Sequence, residues 1–412
     1  MRGTDMTGWV MREHNVPESL VTVLQLAKEK SPDGHLMWDC KCDCGNLFTE
    51  NGRKLREGRT LSCGCFKKEY KKDKTKKLSE SKIIEYNGKQ INTQYWTKVE
   101  DSERLEIKSE FFQLPPYEEV ITQFKRLQKG GPKMDKVNRY YFRKLMAATK
   151  GAESNWSVEE IFESNDLIGM FKSIVESGSK KVFQETRTLA QNIEKAIGLS
   201  SYARFPTNYP LQSVEKILST YNVNNNWYDF SCGWGARLIG AMRNNVNYFG
   251  TDPNYLLCEQ LENLKKDYSS INKVSSTIEI CCAGSEEFKP EWENKMGLAF
   301  SSPPYFNFED YKYGNQSYKE GVSYEDWKEN YLRPTFKNIY KYLIKDGYFL
   351  INIKNLKKYP LVEDSLKIAQ ECGFIFKEVV PMDDNIQRPN ISDYVEPILV
   401  FTKALVDNYC YL

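Results

Sequence analysis

From about residue 205 onward, short β-branched or aromatic runs alternate with runs of helical periodicity, and this alternation restricts the fold more than any other feature of the 412 residues. The strand-like runs are 226–231, 247–252, 277–282, 297–302, 347–353, 374–380 and 397–402, with helical runs at 236–244, 254–268, 325–345 and 361–372 between them. A strand brought back to its sheet through a helix lies parallel to its neighbour, so the pattern predicts a doubly wound α/β, Rossmann-like sheet. The last two strand-like runs are joined by a loop alone and predict a closing antiparallel hairpin. So long a chain exceeds one ordinary core. Three parts are expected: a small β-rich, Cys-rich module with a basic linker (1–77), a mostly helical region (78–200) and the α/β domain (201–405).

Helical patterning in the middle region covers 116–128, 136–149 and 157–176, with a further helix expected over 180–197. Ser157-x-x-Glu160 has capping-box spacing, and Pro115-Pro116 precede an acidic first turn. No apolar stretch approaches the roughly 20 residues a membrane span needs. The first residues lack the apolar run of a secretory signal. The expectation is therefore a chain without membrane attachment. Lys and Arg total 58 against 56 Asp and Glu, which excludes uniformly basic, histone-like binding but not local basic patches.

Three short segments at the tips of successive strands carry chemistry. Tyr228-Asp-Phe-Ser-Cys-Gly-Trp-Gly235 sits at a strand-to-helix turn, where glycines let the backbone approach a ligand. Seventeen residues further on, Asp252 follows the second strand, the position at which an acid binds a ribose diol in nucleoside-binding sheets. The third glycine of the dinucleotide fingerprint is replaced by Leu238, so a nucleoside cofactor without a pyrophosphate fits better. S-adenosylmethionine is such a cofactor. The N–H groups of 231–235, with Ser231, Gly233, Gly235 and Asp229, are expected to shape its pocket. The fourth strand ends in Ser302-Pro303-Pro304-Tyr305. Adjacent prolines fix the backbone. The Pro303 carbonyl and the Ser302 hydroxyl can then accept from an exocyclic amine, while Tyr305 stacks on an extruded base.

Taken together, residues 205–403 resemble an amino-type DNA methyltransferase, the class that methylates N6 of adenine or N4 of cytosine. The resemblance rests on Asp229-Phe-Ser-Cys-Gly-Trp-Gly235 as its cofactor motif and Ser302-Pro-Pro-Tyr305 as its catalytic motif. It implies that Phe205 and Thr207, in Phe205-Pro-Thr-Asn-Tyr-Pro210, contact the methionine part of the cofactor. It implies likewise that Glu286, in Gly284-Ser-Glu-Glu-Phe288, meets the adenine amine. The wording of these motifs is similar to methylases carried by bacteriophages, which implies work on double-stranded DNA in the cytoplasm of a bacterial or phage-infected cell, with a cognate endonuclease as a possible partner. The two motifs disagree on the base: their order is commoner among adenine enzymes, whereas an opening serine is commoner among cytosine ones. Little chain follows the final hairpin, so target recognition is expected from the first 200 residues or from the tyrosine-rich loop 306–324.

Five of eleven cysteines, Cys40, Cys42, Cys44, Cys63 and Cys65, lie within 26 residues. In a chain without an export signal such clustering favours a metal over disulfides. The spacing suits tetrahedral zinc with four sulfurs. Cys63 and Cys65 are expected ligands, joined by Cys44 and by either Cys40 or Cys42. The segment resembles a small Cys-rich module of phage DNA-associated proteins. Residues 49–77 hold eleven basic side chains against four acidic, a net +7. Arg53, Lys54, Arg56, Arg59, Lys67 and Lys68 are the expected phosphate contacts. An enzyme acting on RNA would use the same catalytic turn, and a DNA-binding protein without activity would share the fold. Only two histidines, both N-terminal, leave no His-metal nuclease centre.

Overall fold

The computed structural model describes residues 5–13, 19–31, 35–57, 59–63, 83–86, 89–92, 96–151, 154, 156–200, 203–381 and 396–403. The chain divides into two compact units, Met1–Tyr95 and Trp96–Leu412.

In the first unit, β1 (Val21–Lys30), β2 (Leu36–Cys42) and β3 (Leu47–Asn51) form an antiparallel meander. The β-rich character expected of this module is present; β3 lies between the cysteine groups, in a run with only two large apolar residues, Leu47 and Phe48. Met6, Met11, Val21, Val23, Trp38, Cys40 and Leu55 make a small core. β4 (Ile83–Tyr86) and β5 (Lys89–Asn92) pair antiparallel. The lysine run 66–77 lies outside the described residues.

The second unit is built on a seven-stranded sheet. Its strands are β6 (Asn226–Asp229), β7 (Asn247–Thr251), β8 (Ile278–Cys281), β9 (Met296–Ser301), β10 (Leu343–Asn352), β11 (Phe374–Pro381) and β12 (Pro397–Lys403). They lie in the order β11-β12-β10-β9-β6-β7-β8. The five strands from β10 to β8 are parallel, and β12 runs antiparallel between β10 and β11. This is the doubly wound, Rossmann-like sheet with its closing antiparallel pair.

Alternate side chains of the central strands point to opposite faces. Trp227, Leu298, Phe300, Leu350 and Val400 enter one apolar core. Tyr228, Ala299, Phe349, Ile351 and Phe401 enter the other. Helices Leu211–Tyr221, Ala236–Arg243 and Tyr255–Ile271 cover the first face. The helical stretch from Tyr324 to Tyr342 and the helix Leu361–Glu371 cover the second.

The helical region begins with Asp101–Phe112, a helix the sequence did not signal, since it buries only Ile107 and Phe111. Tyr117–Gln128 follows as expected, then a helical run over 135–148 with a π-helical turn at Asn138–Phe142. The expected helix over 157–176 is two, Val158–Glu163 and Asn165–Glu176, because Ser164 adopts extended angles. The capping box is formed: Ser157 Oγ accepts from the Glu160 amide at 3.2 Å, and Glu160 Oε2 accepts from the Ser157 amide at 2.7 Å. The helix expected from 180 starts only at Leu189, where Thr188 and Gln191 make a second capping box.

The segments expected as separate regions, 78–200 and 201–405, share one unit from Trp96 on. Val120, Phe124, Leu127, Tyr141 and Phe142 belong to the same core as Trp227 and Tyr248. Arg243 is the polar bolt: its side chain is 2% exposed, it pairs with Glu215 at 2.6 Å, and it donates to the carbonyls of Leu127 and Gly131. Among the described residues no helix is long and apolar enough to cross a membrane.

Candidate active site

The chain leaves β6, builds outward through β7 and β8, and returns to place β9 on the other side of β6. At such a switch point the loops after the two central strands part and leave a crevice at their carboxyl ends. A cavity of about 240 Å³ occupies it. Its lining includes Ser231 and Gly233 from the turn after β6, Asp252 after β7, and Ser302, Pro303, Pro304 and Tyr305 after β9. Ser301 Oγ donates to the Ser231 carbonyl at 3.2 Å, which stitches the glycine turn to the diproline turn.

The glycine turn depends on its glycines. Gly233 and Gly235 have φ of 57° and 78°, angles that cost other L-residues about 1–2 kcal/mol. A Cβ on Gly235 would also lie 2.8 Å from Leu264 and 3.3 Å from Phe142. Behind the turn, Asp229 and Arg237 form a buried ion pair at 2.8 Å. Arg237 also donates to the Ser231 carbonyl, and Tyr248 donates to Asp229 at 2.8 Å. Burial disfavours the guanidinium charge, but Asp229 outweighs it and Arg237 holds its proton more firmly than usual. Asp229 thus holds the turn from behind, through Arg237, and does not line the cavity. Gly235 starts the helix Ala236–Arg243 and is also outside the lining.

Asp252 is 8% exposed and accepts from the amides of Asn254 at 3.0 Å and Gly233 at 3.4 Å. Burial nonetheless pushes its carboxyl up to about 6. Thr207 lines the cavity, whereas Phe205 does not. The Phe205 ring instead stacks near Phe111, with the Arg143 guanidinium 4.7 Å from its centroid. Glu286 is exposed and outside the lining, its carboxylate folded against Gly284.

Several lining residues had not been singled out in the sequence. Tyr209 and Asn352 are buried, and Tyr209 Oη and Asn352 Oδ1 have no hydrogen-bond partner among the described residues. Buried polar atoms left without a partner are costly, and here both belong to residues lining the crevice. Lys354 places its ammonium 4.2 Å from the Phe308 ring centroid and 5.8 Å from that of Tyr305. Glu396 accepts from Tyr305 Oη at 2.7 Å. Asn352 ends β10, Lys354 lies two residues beyond it, and Glu396 immediately precedes β12. Polar residues at strand tips were the available signal, but Asn352-Ile-Lys354 reads equally as the end of any strand. From the loop 306–324, Tyr311, Gln316 and Tyr318 close the cavity. That loop is tied down by Lys312 and Tyr313, both bonded to Glu159, and by the Tyr313 carbonyl, which accepts from Asn254 at 2.8 Å.

In the first unit, Cys42, Cys44 and Cys63 bring their sulfurs within 4.8 Å of one another, with Cys44 and Cys63 Sγ 3.3 Å apart. Cys65 lies outside the described residues. Cys40 is not in the group: its thiol donates to the Trp38 carbonyl at 3.3 Å inside the small core. Cys40 and Cys42 share a strand face, but successive same-face residues are about 7 Å apart, so only the one nearer the turn reaches the cluster. Arg53, Lys54 and Arg59 are exposed but paired, with Glu57, Glu50 and Glu57 respectively, and Arg56 donates to Met6 Sδ. Exposed pairs of this kind contribute about 0–1 kcal/mol, which leaves the cations free to exchange partners. Lys67 and Lys68 lie outside the described residues.

No protein-family profile and no curated protein matches this sequence. Many solved structures are similar to part of it, among them the following three. One is a TehB-like SAM-dependent methyltransferase from Corynebacterium glutamicum (16% identity, TM-score 0.33, covering 47% of this chain and 88% of that one). Another is a S-adenosylmethionine-dependent methyltransferase from Clostridium acetobutylicum (10%, 0.35, 48% and 93%). The third is a SAM-dependent O-methyltransferase from Thermotoga maritima (15%, 0.34, 49% and 68%). The strand order β11-β12-β10-β9-β6-β7-β8 by itself defines the Rossmann-like fold.

Proposed function

We propose that this chain is a S-adenosylmethionine-dependent methyltransferase acting on an exocyclic amine of DNA, N4 of cytosine or N6 of adenine. One observation carries the reading: the glycine turn with Asp252 and the Ser302-Pro-Pro-Tyr305 turn open into a single cavity at the sheet's switch point.

The residues present fit the cofactor. Asp252 offers a carboxylate to a ribose diol, Gly233 lets the backbone approach closely, and the unpartnered Tyr209 hydroxyl offers a polar contact. When bound, S-adenosylmethionine supplies an electrophilic methyl group. The protein's part is to hold the accepting nitrogen. Pro303 and Pro304 fix the turn, so that the Pro303 carbonyl and Ser302 Oγ accept from the amine and draw its lone pair out of conjugation. Tyr305 presents an aromatic wall to the base. No side-chain nucleophile is required, and Cys232 is packed under the turn, against the Cα of Gly250.

Cys42, Cys44 and Cys63, completed by Cys65, would hold zinc, since the donor set is all sulfur and already gathered. Such a site would staple a unit too small to rely on its core. The exposed cations Arg53, Lys54, Arg56 and Arg59 would then contact phosphate.

Methyl-labelled S-adenosylmethionine incubated with unmethylated duplex DNA, or with structured RNA, tests the reading. Nucleosides from the digested product are weighed by mass spectrometry. N4-methyldeoxycytidine or N6-methyldeoxyadenosine supports it; label in RNA only, or in neither polymer, overturns it.

A further inference from the structure

The geometry points to Glu396 as the positioning residue that polarises Ser302 through Tyr305 and takes up the proton lost by the target amine. This rests on the methyl-transfer reading above. A serine that opens such a motif has a difficulty: its hydroxyl can donate as readily as accept, and a donated proton aimed at the amine would repel it. The contacts of Tyr305 remove the ambiguity. Its Oη lies 2.7 Å from Glu396 Oε1, 2.8 Å from Ser302 Oγ and 3.3 Å from the Asn352 carbonyl. A phenol has one proton, and a carboxylate is the strongest acceptor of the three. Tyr305 therefore donates to Glu396, and its oxygen accepts from the Ser302 hydroxyl. Ser302 Oγ is left with its lone pairs for the cavity, the orientation an accepting role demands.

The chain of groups is Ser302, Tyr305, Glu396, and each member lines the same cavity. Glu396 immediately precedes β12, and its backbone carbonyl accepts from Asn352 Nδ2 at 3.3 Å, so a strand end holds it in place. The titratable groups facing it are Tyr209, Tyr305 and Glu309, with Lys354 beside Glu309. As the amine nitrogen bonds to the methyl carbon, the carbon–sulfur bond breaks with its electron pair kept by sulfur, and the positive charge passes from sulfur to nitrogen. The nitrogen's proton then moves to Ser302 Oγ, that of Ser302 to Tyr305 Oη, and that of Tyr305 to Glu396. The products are a neutral methylated amine, a neutral thioether and a protonated, partly exposed Glu396 that returns its proton to water.

The full-length protein is assayed with duplex DNA across pH 5–9. Glu396→Gln lowers kcat by about 100-fold or more, leaves KM for DNA and affinity for S-adenosylhomocysteine unchanged, and alters the pH profile. Glu396→Asp recovers part of the rate. An unchanged kcat, or a loss of S-adenosylhomocysteine affinity matching the loss of rate, overturns the proposal. A second readout needs no turnover. In protein labelled at tyrosine Cζ, the Tyr305 resonance is assigned by its disappearance in Tyr305→Phe. Glu396→Gln shifts that resonance if the hydrogen bond exists, and a resonance that stays in place overturns it. Wild-type protein that methylates no nucleic acid strikes the methyl-transfer reading, while the resonance still decides the relay.

Discussion

Asp252 yields the sharpest test, because burial separates its titration from that of every ordinary carboxylate. Its carboxyl titrates near 6 rather than at the usual 3.8. A diol donates both hydroxyls and needs the ionised form, so affinity should track the ionised fraction. With a value of about 6, that fraction is about 97% at pH 7.5 and about 9% at pH 5. The expected loss is about tenfold, or about 1.4 kcal/mol. An unburied carboxylate would still be about 94% ionised at pH 5 and would change almost nothing. Folding runs with the opposite sign. The folded value lies above the unfolded one, so this group's favourable contribution is complete below about 3.8 and is lost as pH rises through 6. Above 6 it costs the unliganded protein about 3 kcal/mol, from roughly two pKa units. Asp252→Asn should accordingly raise the unfolding temperature of the unliganded protein at neutral pH while weakening the ligand and flattening its pH dependence. Calorimetric titration with S-adenosylhomocysteine at half-unit steps, paired with thermal scans, measures both. An affinity level from pH 7.5 to 5 refutes the role assigned to Asp252.

Three further outcomes follow from contacts around the two sites. Arg237→Met leaves Asp229 charged and buried, and should cost about 3–5 kcal/mol in chemical denaturation. Adding Asp229→Leu should recover most of that loss, since replacing both partners of a buried pair is often neutral. Gly235→Ala should cost about 2–5 kcal/mol, combining left-handed strain with the contact to Leu264; an unchanged denaturation midpoint would contradict the described turn. Metal analysis should find one zinc per chain in wild-type protein and in Cys40→Ala, and none in Cys42→Ser, Cys44→Ser or Cys63→Ser. Retention of zinc in any of the three serine variants would count against that ligand.

Much of the α/β domain could be read directly. Each strand of the sheet fell where an apolar run was bounded by turn residues, and the closing pair followed from its helix-free connection. Ser231, Gly233, Asp252 and Ser302 through Tyr305, singled out as motif residues at strand tips, all line one cavity. Asp229 was harder, because a carboxylate at a strand end looks the same whether it faces a ligand or an arginine eight residues on. Cys40 and Cys42 posed a similar difficulty, since alternation puts both on one face and only the turn geometry shows which reaches Cys63.

What the sequence determined by itself is therefore local: periodicity sets the strands and helices, and glycine and proline set the two turns. Tertiary structure alone decided what meets across the sheet. β12 enters between β10 and β11 and carries Glu396 to Tyr305, 91 residues away in the chain. The helices before residue 200 joined the sheet's core because one face of a doubly wound sheet must be covered, and Phe124, Tyr141 and Phe142 help to cover it. Hydrophobic patterning states that a face will be buried. It does not name the partner, because apolar surfaces attract without direction.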